Sequence, residues 1–145
     1  MGITFRRSDF EQVYFSFIFV NQTSGIECKN YKKIKVEEFL DDGIIMVVPT
    51  NSCNVRHNLM VLVFKGSKPR LPKIIPAEGR GKGIRFSAIG KVENKEINEK
   101  DTTLSSIKLK FVQFDKFGWQ DFVDIYREKQ EEITSTFIKL KINED

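Results

Sequence analysis

Cys53-x-x-x-His57 is the pair in this 145-residue chain whose residue types and spacing come nearest to site chemistry. The spacing suits two ligands of one metal ion, or a thiol beside the base that would activate it. Cys28 is the one other cysteine and His57 the one histidine, so a zinc site would lack a second close ligand pair. No oxyanion-hole glycine turn and no third orienting motif accompany the pair. We therefore expect His57 to be a turn residue ahead of a strand, both cysteines to be reduced and partly buried, and no metal site.

The stretch Gly79-Arg-Gly-Lys-Gly83 invites a phosphate-binding reading. It lacks the Gly-x-x-x-x-Gly-Lys-Ser/Thr spacing of a nucleotide loop and precedes strand-like residues instead of a helix. It reads as a mobile β connection, with Arg80, Lys82 and Arg85 as candidate contacts for phosphate or for an acidic protein surface. Trp119 and the 13 Phe raise the idea of base stacking beside these cations. Aromatic residues are equally what fills a β core, and a net charge of +4 is small for a groove that tracks a phosphate backbone. A protein is thus the expected partner, and a nucleic acid bound through residues 65–91 the alternative. No acid, base and nucleophile converge, so no catalytic residue and no cofactor are assigned and the chain is expected to be non-enzymatic.

The charge is unevenly spread. Residues 1–64 carry seven basic and seven acidic side chains, residues 65–91 eight and one, and residues 92–145 nine and twelve. The middle segment, from Lys65 through Lys68, Arg70, Lys73, Arg80, Lys82 and Arg85 to Lys91, also holds Pro69, Pro72 and Pro76, which makes it largely loop. The longest nearly apolar run, Val13 to Val20, is far shorter than the ~20 residues a membrane helix needs. Arg6, Arg7, Asp9 and Glu11 occupy the place of a secretory apolar segment. The expectation is a cytoplasmic protein with no membrane insertion.

These residues must be positioned by a mainly β framework. Val13 to Val20, Lys33 to Phe39, Ile44 to Val48, Leu59 to Lys65, Ile84 to Glu93 and Ser106 to Phe114 alternate or run apolar in short blocks, the pattern of strands. Six strands in this length predict a small antiparallel barrel or sandwich, with Asn94 to Asp101 as an exposed hairpin connection. Trp119, Phe122, Val123, Tyr126, Ile133 and Phe137 recur at helical steps opposite Asp121, Asp124, Glu128, Glu131 and Glu132. One domain is expected over residues 1–145: an N-terminal segment 1–12, a barrel 13–114, an amphipathic helix 118–138 covering its open side, and a tail 139–145.

The order of these features resembles a PilZ domain. The chain has a basic N-terminus, a strand, Val36-Glu-Glu-Phe-Leu-Asp-Asp-Gly43 leading into an apolar strand, strands containing Gly90-Lys-Val92 and Val112-Gln-Phe114, and a closing helix. The resemblance implies a six-stranded antiparallel β-barrel with a C-terminal helix and a site for cyclic di-GMP. The family's Arg-x-x-x-Arg segment falls on Arg6 or Arg7, with Phe10 and Glu11 at the second arginine's place. Its Asp/Asn-x-Ser-x-x-Gly turn falls on Glu38 to Gly43, with Glu38 for the Asp or Asn and Leu40 for the Ser. By resemblance, Arg6 or Arg7 would grip phosphate, Glu38 would hold a guanine edge, and Gly43 would let the backbone approach the base. With these departures, the implied function is bacterial regulation of motility, pili or surface behaviour through protein contacts, with cyclic di-GMP binding weak, altered or absent. Arg80, Lys82 or Arg85 are the candidates to replace the missing arginine.

Overall fold

Two segments are nearly continuous apolar runs, and both become strands buried on two faces. In the computed structural model, which describes residues 15–66, 70–81 and 83–143 and side chains as far as residue 132, these are β1 (Phe15–Asn21) and β5 (Asn58–Lys65). Phe15, Phe17 and Phe19 of β1 and Leu59, Val61 and Val63 of β5 point into the main core. The residues between them, Ile18 on β1 and Met60, Leu62 and Phe64 on β5, enter a second, smaller core on the outer face. Of the other long strands, the edge strand β3 (Lys35–Leu40) buries Val36, and β4 (Gly43–Pro49), β6 (Ile84–Ile97) and β7 (Leu104–Gln113) bury mainly alternate residues. That is what one wet face requires.

With the two-residue β2 (Glu27–Cys28), the strands form one antiparallel sheet in the order β2-β1-β5-β6-β7-β4-β3. The architecture is a curled seven-stranded half-barrel, which corrects the expected six strands. The extra strand is too short to leave a periodic signal: Phe19 and Val20 pair with Cys28 and Glu27 after the turn at residues 22–26. Each strand beside β7 places one glycine against it. A Cβ at Gly43 would lie 2.3 Å from the Leu109 carbonyl oxygen, and one at Gly90 would lie 2.7 Å from Leu109 Cγ. Only glycine lets β4 and β6 close in on β7 this tightly.

The β6–β7 hairpin extends further than expected. β6 runs to Ile97, so Asn94 to Ile97 are strand and the turn is confined to residues 98–103, where Asn98 Oδ1 and Asp101 Oδ1 accept backbone N–H bonds. The ends of the basic segment are strand, as expected: Lys65 ends β5 and residues 84–91 belong to β6. Part of its loop portion is packed: Ile75 is buried and Leu71 packs beside it over Ile18, Met60, Leu62 and Phe64.

The terminal helix α1 (Lys116–Asn143) begins two residues before its expected start and continues to residue 143. Asp115 Oδ1 accepts the Phe117 N–H at its first turn. Its Trp119, Phe122, Val123 and Tyr126 fill the open half-barrel against Phe15, Phe39, Phe86 and Phe111. The side chain of Ile133, expected in the same role, lies outside the described residues. Phe122 is fully buried and meets Phe15 edge-on at 4.9 Å. Replacing Phe122 with Ala should therefore cost about 3–5 kcal/mol, read by chemical denaturation.

Candidate functional site

Glu38 and Gly43 sit on the β3–β4 hairpin, one exposed and the other buried. Glu38 follows a register shift in β3 and pairs with Ile45, and its carboxylate forms no ion pair among the described residues. Gly43 pairs with Lys110 of β7, and the Leu109 carbonyl occupies the space where a side chain would stand. Packing within the sheet is thus sufficient reason for this glycine. Arg6 and Arg7 lie outside the described residues, as does Lys82.

The turn between these two residues is fastened to the start of α1. Trp119 Nε1 donates to the Leu40 carbonyl at 2.8 Å, and the Phe111 N–H donates to the Asp42 carbonyl at 2.6 Å. Phe39 packs edge-on against Trp119 at 5.5 Å and against Tyr126 at 4.6 Å. Trp119 is only 2% exposed, so it is not a platform for stacking bases. The exposed aromatic at this end is its neighbour Phe117, 89% exposed.

Across β7 from that turn lies an open cleft of about 700 Å³ between the 78–81 loop, β6 and the start of α1. Arg80 and Arg85 both line it, together with Ser87, Gln113, Glu78 and Asp115, over an apolar floor that includes Met60, Phe86 and Ala88. This is a volume typical of small-ligand sites. Arg85 is held by Asp121 of α1, Nη2 to Oδ2 at 3.2 Å, whereas Arg80 is exposed and forms no ion pair among the described residues. Two of the three basic-loop candidates are thus brought to one rim, and neither adjoins Glu38.

Cys53 and His57 are not arranged as a nucleophile and its base. Asn21 is fully buried, and its Oδ1 accepts the backbone N–H groups of Thr23 and Ser24, both at 3.0 Å. That orientation aims Nδ2 at the Ser52 carbonyl (3.1 Å) and His57 Nδ1 (2.9 Å). The Asn54 N–H also reaches Nδ1 at 3.1 Å. With two donors on Nδ1, the imidazole proton sits on Nε2, and Nδ1 is occupied. Lys95 Nζ closes the same loop by donating to the carbonyls of Thr50 and Cys53 and to Asn54 Oδ1. His57 is the turn residue expected, but Asn21 and Lys95 were missed as its organisers. The signal for Asn21 was its place at a strand end before Gln-Thr-Ser-Gly, where an Asn side chain bonds the backbone ahead of it.

Both cysteines are free and buried. Burial pushes the Cys28 thiol from 9.0 up to about 11, with Cys53 adding to the rise. Burial also raises Cys53, against the opposing pull of the Ser52 hydroxyl and Lys95. Among the described residues no three His, Cys, Asp or Glu side chains gather to hold a metal ion, and no helix is long and apolar enough to cross a membrane. In comparisons with known proteins, the chain matches no family model, no curated protein and no solved structure.

Two measurements check this geometry. Asn21→Ala leaves the buried Ser52 carbonyl without its donor and frees the exposed Thr23 and Ser24 N–H groups to water, and should cost about 1–3 kcal/mol in denaturant unfolding. A thiol whose folded value exceeds its unfolded one stabilises fully below the unfolded value, and that stability is lost as pH rises through the folded value. The thermal midpoint should therefore fall between pH 9 and about 11, and Cys28→Ala should flatten that fall.

Proposed function

We propose that the chain is a non-enzymatic, PilZ-like regulatory module that works through protein contacts, with its cyclic di-GMP contacts altered from the family pattern. The observation that carries this reading is the fastening of the Leu40–Gly43 turn to α1 through Trp119 and Phe39. In a module of this kind the ligand turn and the surface shown to a partner need a rigid connection, and here one aromatic cluster spans both. The order of elements also supports it: a first long strand, the hairpin bearing Glu38 and Gly43, three further long strands, then a closing helix. Against the usual binding mode stand Phe10 and Glu11, since a lost bidentate arginine pair removes about 1.5–3 kcal/mol, and a glutamate in its place repels phosphate.

The protein-facing surface in this reading is the polar side of α1, with exposed Asp121, Asp124, Glu128, Glu131 and Glu132, together with Phe117 at its start. Base stacking, which the nucleic-acid alternative needs, loses Trp119 to the core. Calorimetry with cyclic di-GMP tests the ligand. Weak binding abolished by replacing Arg6 and Arg7 together with Ala is the expected result. Binding insensitive to that change but lost in an Arg80→Ala/Arg85→Ala variant would move the site to the cleft. A single-stranded oligonucleotide bound more tightly than the cyclic dinucleotide would favour the alternative.

A further inference from the structure

We propose that the outer face formed by Lys29, Lys32, Arg70, Lys73 and Ile74 docks on the surface of an anionic lipid bilayer. The sequence places these residues about forty positions apart in two groups; the fold joins them. Lys29 Nζ donates to the Lys73 carbonyl at 2.9 Å, and Tyr31 packs in the same small core as Leu71 and Ile75. The single 3-10 turn at Tyr31–Lys33 therefore lies against the 70–75 loop, with Lys32 exposed.

Within this face, adjacent isoleucines take opposite roles. Ile75 is 9% exposed and closes the outer core, whereas Ile74 is 84% exposed. Its backbone is held from below by Ile75 and on one side by Lys29, so the fold presents an aliphatic side chain outward among cations. Lys32, Arg70 and Lys73 form no ion pair among the described residues, and Glu27 is held by Lys29 at 3.1 Å.

Three partners offer the complementary charge, and the geometry selects among them. A single-stranded nucleic acid calls for stacking aromatics, but Tyr31 is committed to the outer core. A peptide or protein helix is best served by a groove, and the cleft lies elsewhere, along residues 78–81 and 84–89. A bilayer needs neither: anionic headgroups attract the cations, and one aliphatic side chain enters the headgroup boundary. Attachment of this kind is peripheral and reversible, and goes beyond the regulatory reading above without depending on it.

Co-sedimentation with phosphatidylcholine vesicles, with and without about 30 mol% phosphatidylglycerol, tests the proposal. The protein should sediment with the anionic vesicles alone and be released at about 0.5 M salt. Ile74→Asp and Arg70→Gln/Lys73→Gln should each weaken binding about tenfold. Both variants alter exposed side chains, so their thermal midpoints should match the parent's; should Ile74→Asp unfold, Ile74→Ser replaces it. Equal sedimentation with both vesicle types, none with either, or full retention by the Ile74 variant would overturn the proposal. So would tighter binding of an oligonucleotide or of poly-glutamate that the double variant loses.

Discussion

An open half-barrel leaves an apolar interior facing water along one side, and everything else in this protein depends on how that side is filled. Phe122 supplies the filling. Its ring lies 4.9 Å from Phe15, 6.0 Å from Phe39 and 6.1 Å from Phe86, so one side chain of α1 joins β1, β3 and β6. β1 and β3 lie near opposite edges of the sheet, and no backbone ladder connects them. Aromatic packing takes the place of the hydrogen bonds that would close a full barrel, with Trp119 and Tyr126 extending the contact. The helix is therefore a structural wall, and its docked start fixes the turn and cleft on either side of β7.

That dependence gives the functional end of the molecule its mechanical character. Leu40 is tied to Trp119, Arg85 to Asp121, and Asp115 to Phe117 in the first turn of α1, so three separate contacts converge on the first six residues of the helix. A displacement of the β3–β4 turn has no soft element to absorb it before it reaches α1, because close-packed interiors transmit strain. The solvent-facing bond in this set, Arg85 to Asp121, is weak by itself, since exposed ion pairs contribute little. Orientation comes from the buried aromatics; the ion pair only sets the register of the helix along β6.

Much of this was legible in the sequence, for identifiable reasons. Nearly continuous apolar runs became the two-faced strands β1 and β5, alternating segments became strands mostly buried on one face, and the helical stripe found Trp119, Phe122, Val123 and Tyr126. What failed was whatever lacked a period. β2 has two residues, too few to alternate. The close approach of Gly43 and Gly90 to Leu109 is a through-space fact that neither glycine signals alone. Gly43 was read through a ligand and is explained by a carbonyl. The cleft unites residues 60, 78–81, 84–89, 113–115 and 118, which no motif spans, and the Asn21–His57 contact crosses 36 positions.

The basic segment shows why charge counted along a chain and charge arranged in space are different quantities. Of its cations, Lys65 and Lys91 lie on strands, Arg80 and Arg85 line the cleft, and Arg70 and Lys73 are exposed beside Leu71 and Ile75, which pack on the outer core. What divides them is the apolar residue set: Leu71 and Ile75 pin the loop to the outer core between the two groups, so its cations project on either side of the anchor. The outer face then recruits Lys29 and Lys32 from a segment whose own charge is balanced in the sequence, because Tyr31 shares that anchor. A loop that contained only Pro, Gly and cations would have stayed in solvent, its charge spread over whatever volume it sampled. Two apolar side chains convert a compositional excess into two separate, fixed surfaces, and this is the step at which sequence charge acquires a location.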